Sequence, residues 1–196
     1  MSSIEVKNMH QRKYRHELKL YINVADVLEL RSRLKHVAYP DQNSGADGKY
    51  LVRSLYFDNY KDKAVTDKLS GQSRREKFRL RYYNNDTSFL RLEKKSKINR
   101  GCYKESTILT ISQCESILCG DFSGLLIAGI PVMSELYAKI QFQHLRPRSI
   151  VDYMREAYTF PAGNVRITID SDIRTSNNVK GFLSTSLPTT PSALAI

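Results

Sequence analysis

The sequence contains few cysteines and lacks the spacings with which cysteine and histidine build disulfide frameworks or hold zinc. Its three cysteines, Cys102, Cys114 and Cys119, are odd in number and form no Cys-x-x-Cys pair, which argues against both kinds of site. The four histidines show no His-x-His or His-x-x-x-His spacing. We therefore expect three reduced thiols, for which the cytoplasm is the default location.

Long apolar runs are also missing. No stretch approaches the roughly 18 apolar residues of a membrane-spanning helix, and residues 1–10 lack the apolar core of a secretory signal. The chain carries no P-loop, no Rossmann fingerprint and no internal repeat. Any nucleotide is therefore expected to bind through its triphosphate rather than through its base.

Positive charge is what the sequence has in excess. Its 31 basic and 20 acidic residues give a net charge of +11. Hydrophobic residues make up 41% of the 196 positions, so the chain is long and apolar enough to fold around a core without disulfides or metals. The charge excess favours a polyanionic partner: nucleic acid, a phosphorylated metabolite or an anionic membrane surface.

Alternation and turn signals predict an α+β domain built on an antiparallel sheet, with helices inserted between the strands. Strands are predicted at residues 14–22, 50–57, 76–83, 88–96, 102–109, 147–158 and 164–170. Helices are predicted at about 23–36, 60–70, 112–119 and 133–143. We expect residues 1–13 to be a flexible N-terminus, residues 14–175 to form the domain, and residues 176–196, rich in Ser, Thr and Pro, to be an irregular tail.

Basic side chains recur at alternate positions of five predicted strands. Since successive strand residues point to opposite faces, Lys77, Arg79 and Arg81 share one face. The other strands repeat this composition with Arg15, Glu17 and Lys19; Arg91, Glu93 and Lys95; Tyr153 and Arg155; and Arg166, Thr168 and Asp170. One such strand is ordinary for a sheet with one wet face. Five strands with this heavy use of Arg favour a common phosphate-binding surface.

If the helices cover the apolar faces, the charged faces line the interior of a barrel of about eight strands. An interior of Arg and Lys requires counter-charge, which implies a bound polyanion. The carboxylates Glu17, Glu93 and Asp170 lie on the same faces. Two interpretations of them stay open: ion pairs with neighbouring Arg, or ligation of Mg²⁺ or Mn²⁺ that bridges substrate phosphates.

The chain resembles the VTC domain of polyphosphate polymerases, within the triphosphate tunnel metalloenzyme (CYTH-like) superfamily. The matching segments are 14–22 (YRHELKLYI), 53–59 (RSLYFDN), 77–83 (KFRLRYY), 89–95 (FLRLEKK), 153–158 (YMREAY) and 165–170 (VRITID). The resemblance implies an eight-stranded antiparallel tunnel around a triphosphate or polyphosphate chain. It also implies transfer of the γ-phosphate of ATP onto growing polyphosphate, with Mn²⁺ as the favoured metal in eukaryotic relatives.

The resemblance further implies roles for individual residues. The predicted catalytic residues are Lys19, Arg79, Arg81, Lys95, Arg155 and Arg166. The same residues and Tyr153 form the predicted phosphate-binding set, and Glu17, Glu93 and Asp170 the predicted metal ligands. The family's last strand reads roughly Leu-Glu-Val-Lys, and no such segment follows Asp170. We therefore expect this chain to stop before that strand and the tunnel to be open on one side.

Several functions are compatible with these features. A metal-dependent phosphotransferase acting on ATP and polyphosphate is the first. A triphosphate hydrolase and a non-catalytic polyphosphate sensor are the alternatives. A nucleic-acid binder is disfavoured because the basic faces carry few aromatic side chains for base stacking, apart from Tyr83, Phe89 and Tyr153.

Overall fold

The predicted alternating strands pair into one antiparallel sheet. The structure, a computed structural model, describes residues 14–99, 101–126 and 129–192. These residues form eight strands: β1 (Tyr39–Pro40), β2 (Lys49–Asp58), β3 (Arg74–Tyr83), β4 (Asp86–Ile98), β5 (Gly101–Leu109), β6 (Arg146–Phe160), β7 (Val165–Ser176) and β8 (Thr190–Pro191). The helices among them are α1 (Val24–Val37), α2 (Lys63–Leu69), α3 (Ile111–Cys119) and α4 (Pro131–Gln143). The predicted N-terminal region 1–13 lies outside the described residues.

The sheet is open. Its strand order is β5-β4-β3-β2-β6-β7-β8, with the short β1 paired to one end of β6. Over the described residues β5 and β8 lie at opposite ends of this order. The α+β class and the eight antiparallel strands are confirmed, whereas the closure into a barrel is not observed.

The prediction of a strand at residues 14–22 is wrong, because these residues do not form a strand. It makes a single antiparallel bridge, between Arg15 and Cys102. In that register the residues after Arg15 run past Gly101, the first residue of β5, and therefore meet no further strand. Leu18 and Leu20 consequently remain almost fully exposed.

The predicted helix starts follow from local chemistry. The side chain of Asn23 accepts a hydrogen bond from the Asp26 N–H at 3.0 Å, and the Asp26 carboxylate accepts one from the Asn23 N–H at 2.9 Å. Pro131 occupies the first turn of α4, where its missing N–H costs nothing. The third helix is capped by Thr110 rather than by Ser112, since Thr110 is extended and completes a capping box with Gln113.

The core lies between one face of the sheet and the helices α3 and α4. Leucines of the central strands, such as Leu55, Leu80 and Leu92, pack in one cluster with Leu136 and Ile140 of α4. This arrangement buries the apolar face completely and leaves the other face of the same strands free for polar side chains.

The C-terminal tail is more ordered than the sequence indicated. Residues Val179–Gly181 form a 3₁₀ turn, and β8 pairs with β7. Phe182 is fully buried, and its ring meets that of Tyr82 edge-on with centroids 5.1 Å apart. The Tyr82 hydroxyl donates a 2.7 Å hydrogen bond to the Phe182 carbonyl. Leu187 is buried in the same cluster, and Val179 and Leu183 pack against it. The tail therefore belongs to the core.

Among the helices of the described residues, none is both long and apolar enough to cross a membrane.

The tail anchor can be tested by truncating its aromatic ring. Phe182→Ala is expected to lower the free energy of unfolding by about 3–4 kcal/mol, because it leaves a cavity in the core. Phe142→Ala, on the exposed side of α4, is the matched control and is expected to have little effect. Urea unfolding of both variants measures the difference. Equal stabilities would show that the tail does not contribute to the core.

Candidate functional site

One face of the sheet collects basic side chains from five strands. We call it the cationic face and define it by Lys77, Arg79, Arg81, Arg91, Lys95, Lys104, Arg155 and Arg166. The pairing register places Arg79 opposite Glu93, Arg81 opposite Arg91, and Lys95 between Lys77 and Lys104. The structure thus brings the basic residues of separate strands onto one surface, opposite the apolar core.

Glu93 neutralises one end of the cationic face. Its Oε2 accepts a 2.7 Å hydrogen bond from Arg79 Nε, and its Oε1 accepts one of 2.9 Å from Lys104 Nζ. Glu93 is only 1% exposed. Burial acts to raise its pKa, but the charges of Arg79 and Lys104 outweigh burial and lower the pKa to about 2.

Arg79 is held from a second side by Tyr56. Its Nη1 donates a 3.2 Å hydrogen bond to the Tyr56 hydroxyl. Burial acts to lower the pKa of Arg79, while Tyr56 and Glu93 raise it above its usual value. Burial likewise acts to raise the pKa of Tyr56, but the guanidinium groups of Arg79 and Arg81 lower it. The surroundings of this tyrosine are therefore strongly positive.

Asp170 neutralises Arg155 at the other end of the face. The pair is bidentate, with Nε–Oδ1 and Nη2–Oδ2 distances of 2.6 and 2.7 Å. The Arg155 guanidinium lies over the Tyr153 ring, 5.0 Å from its centroid. Arg166 donates hydrogen bonds to the Asp41 carboxylate and, at 2.9 Å, to the Tyr50 hydroxyl. Both arginines therefore carry a counter-charge supplied by the protein.

The centre of the face differs, because its two arginines have no carboxylate. Arg81 is 4% exposed and donates only to neutral oxygens, Ser54 Oγ and the Tyr153 hydroxyl, each at 2.8 Å. Arg91 lies directly opposite Arg81, stacks on the ring of Phe89 at 4.5 Å, and has a buried Nε without a hydrogen-bond partner. No carboxylate within the described ranges pairs with either guanidinium. Like charges directly opposite each other repel, and the Glu93 carboxylate acts on Arg81 only at a distance, without an ion pair.

The N-terminal segment approaches the face from its β5 side. The Glu17 carboxylate pairs with Lys95 and, at 3.8 Å, with Lys19. Burial acts to raise the pKa of Glu17, but Lys95, Lys19 and Arg79 lower it below its usual value. The Lys19 side chain is 82% exposed, and its charge contributes to lowering the pKa of Tyr56 on β2.

The three predicted metal ligands are not brought together. Glu93 and Asp170 lie on β4 and β7, four strand spacings or about 19 Å apart along the sheet. Each of the three, Glu17 included, is engaged by cations instead. Where the chain is described, no three or more His, Cys, Asp or Glu side chains are arranged to hold a metal. The ion-pair interpretation is the observed one, and these residues do not fit a resident Mg²⁺ or Mn²⁺.

The neutral hydrogen-bond partners of the cationic face were not predicted from the sequence. Tyr50, Ser54 and Tyr56 alternate along β2 and supply hydroxyls to Arg166, Arg81 and Arg79. Their signal was the period of two within β2, a strand in which Leu55 and Phe57 face the core. No such pattern indicated Lys104 and Asp41, since each forms its ion pair with a residue that is distant in the sequence.

Together these features define a class: an α+β protein whose antiparallel sheet is covered by helices on one face and lined by partly neutralised Arg and Lys on the other. The family model for the VTC domain matches residues 14–193. The chain belongs to the VTC domain family.

Solved structures give a second comparison. A crystal structure from Bacillus halodurans, of a protein proposed to be an adenylate cyclase, is similar to this chain with a TM-score of 0.53 and 14% sequence identity. The similarity covers 84% of this chain and 73% of that one. At this identity the likeness shows the fold alone. No curated protein matches the sequence significantly.

The charge of Glu93 makes stability depend on pH. Because its pKa falls from 4.5 to about 2 on folding, it stabilises the fold above pH 4.5 and loses that contribution as the pH drops towards 2. Glu93→Gln is expected to be less stable near neutral pH by on the order of 3 kcal/mol, with the difference shrinking in acid. Urea unfolding across this pH range measures it.

Glu115→Gln, on the exposed side of α3, is the matched control and is expected to match the wild type throughout. A stability difference for Glu93→Gln that stays constant with pH would show that its charge is not the stabilising element.

Proposed function

We propose that the cationic face binds a linear polyphosphate chain or the triphosphate of ATP, and that the domain transfers the γ-phosphate of ATP to polyphosphate. The observation that carries the proposal is the central pair of buried or half-buried arginines, Arg81 and Arg91, without a carboxylate. Membership of the VTC domain family supports the same ligand class. Phosphate oxygens match guanidinium donors bidentately and supply the missing negative charge.

The proposed roles of the basic residues differ with the extent to which ion pairs neutralise their charge. Arg81 and Arg91 are the proposed primary phosphate ligands, since neither forms an ion pair with a carboxylate in the described part of the chain. Arg79, Lys95, Arg155 and Arg166 extend the path on both sides with donors left over from their ion pairs. Tyr153 orients Arg81 through its hydroxyl and lies beneath Arg155. Lys19 is proposed to contact the phosphate chain from the N-terminal segment.

The proposed transfer needs no proton donor. An oxygen of the terminal phosphate of polyphosphate attacks the γ-phosphorus of ATP, the bond to the β–γ bridging oxygen breaks, and ADP leaves with the electron pair. Charge is conserved, because the product chain gains one phosphate and one negative charge. The arginines hold the two reactants in line and stabilise the charge on the transferred phosphoryl group.

The metal dependence that the family resemblance implies remains a separate expectation. The described carboxylates do not form a site for Mg²⁺ or Mn²⁺, so no step is assigned to the ion. The same observation favours a second candidate function, a non-catalytic polyphosphate-binding module. Triphosphate hydrolysis, with release of orthophosphate, is the third outcome to be distinguished. We propose a cytoplasmic location, as three free cysteines suggest, and no specific nucleic-acid partner.

The binding proposal is tested with Arg81→Gln, which removes the central charge but retains a hydrogen-bonding side chain. Its affinity for tripolyphosphate is expected to fall about tenfold to a hundredfold, the usual effect of losing a charged hydrogen-bond donor. Isothermal titration calorimetry measures it. Arg33→Gln, on the exposed side of α1, is the matched control and is expected to retain wild-type affinity.

Equal affinities of these two variants would contradict the proposed site, because only unspecific charge would then matter. Catalysis is tested by incubating the protein with ATP and Mn²⁺. Long polyphosphate on a gel supports the polymerase, orthophosphate alone indicates hydrolysis, and binding without either product leaves the non-catalytic module.

A further inference from the structure

A cavity adjoins the cationic face at Lys77, around the end of the sheet where β3 begins and β4 ends. It has a volume of about 490 Å³ and is bordered by α2 and by the C-terminal half of α4. This volume falls within the range of small-molecule sites. Ser96 and Lys97 point to opposite faces of β4 yet both line the cavity, which shows that it extends around the strand ends. Arg79, Arg81, Arg91 and Arg155 do not line it.

The cavity carries an excess of positive charge. Six basic and three acidic residues line it, and the basic ones are Lys63, Arg74, Arg75, Lys77, Lys97 and Lys139. Each acid is already satisfied: Asp67 pairs with Lys63 at 2.6 Å, and Glu76 pairs with Lys139 and, at 3.4 Å, with Lys94. The third acid, Asp58, accepts hydrogen bonds at Oδ1 from the backbone N–H groups of Asn59, directly after β2, and of Ala64, in the first turn of α2.

Three cations at this end of the sheet therefore have no internal counter-charge. Arg74, Arg75 and Lys97 have no carboxylate partner in the portion of the chain that the structure describes. A fourth, Lys77, borders both the cavity and the cationic face, and burial lowers its pKa. Such a group of cations attracts an anion with more than one negative charge.

A buried hydroxyl is the independent sign of a ligand. Ser96 is 5% exposed, lines the cavity, and its Oγ has no hydrogen-bond partner. A buried hydroxyl without a partner is costly, and native structures almost always satisfy it. An anion oxygen in the cavity would accept this hydrogen bond.

The cavity also has an apolar wall. Phe57 and Phe78, both buried in the core, and Ile98 and Leu145 contribute to its lining. A bare inorganic ion would leave this wall in contact with water, whereas an apolar group attached to the anion would cover it.

We propose that this cavity binds a small organic phosphate, a phosphate group that carries an apolar or aromatic moiety. The phosphate meets the Ser96 hydroxyl and Arg74, which lies on the same face of the sheet, while Arg75 and Lys97 add positive charge from the other face of the strand ends. The apolar moiety packs against the phenylalanines. This site does not rest on the proposed function of the cationic face. It would give the domain a second ligand alongside any polyphosphate chain.

Phenyl phosphate is the probe, titrated calorimetrically into the full chain with and without saturating tripolyphosphate. We expect saturable one-to-one binding under both conditions, and weaker binding of orthophosphate. Ser96→Ala is expected to weaken phenyl phosphate binding about tenfold and to leave tripolyphosphate binding unchanged. The exposed Ser32→Ala on α1 is the matched control. Ala64→Leu, which narrows the cavity from α2, is expected to abolish binding.

Three results would overturn the proposal: no saturable binding, displacement of phenyl phosphate by tripolyphosphate, or unchanged affinity in both Ser96→Ala and Ala64→Leu. Orthophosphate binding as tightly as phenyl phosphate would overturn the role of the apolar wall. An unchanged midpoint of urea unfolding verifies that each variant is folded, so a loss of phenyl phosphate binding reports on the cavity.

Discussion

Repulsion between like charges on neighbouring strands is the constraint on which the cationic face depends. Side chains directly opposite each other in an antiparallel sheet have Cβ atoms about 5 Å apart, so rows of Lys and Arg cannot stay close without counter-charge. Glu93, Asp170, Asp41 and Glu17 supply it at both ends of the face. The centre, where Arg81 meets Arg91, has only neutral oxygens and an aromatic ring. Among the described residues, the protein thus pairs the edges of the face with carboxylates and leaves its middle without one.

The register of β3 against β4 produces this arrangement. Asn84 and Asn85 have φ values of 49° and 58°, the left-handed conformation of a two-residue hairpin turn. This turn pairs Tyr83 with Asp86. If the pairing of β3 with β4 continued from there without a register shift, Arg79 would lie opposite Leu90. Such pairing would mix polar and apolar side chains on each face. A register shift between Arg81 and Tyr83 instead sets Arg79 opposite Glu93. Burial of the apolar face therefore decides which charges meet on the other face.

This dependence explains how much could be predicted from the sequence. Alternation identified six of the long strands and the common face of Arg79, Arg81 and Arg155, because these features are local. It did not distinguish the neutralised Arg79 from the uncompensated Arg81, because that difference depends on a register shift. The predicted strand at 14–22 failed for a related reason: alternation shows that a segment suits a sheet but not whether a partner strand lies beside it. The burial of Phe182 was not predicted, because the tail is rich in polar residues and shows no apolar alternation.

The ion pairs also limit what the carboxylates can do chemically. With a pKa of about 2, Glu93 stays ionised at neutral pH, and its two cations occupy both oxygens. It is therefore a fixed negative charge rather than a general base or acid. Phosphoryl transfer to the end of a polyphosphate chain needs no general base, since the attacking oxygen is already anionic and gives up no proton. Positioning and charge stabilisation by arginines then suffice. An acceptor with a hydroxyl group would need a proton acceptor, and Glu93 and Asp170, both engaged by cations on this face, are poorly suited to that role. For the phosphoryl transfer that we propose, the electrostatics of the face thus favour phosphate chains over alcohols as acceptors.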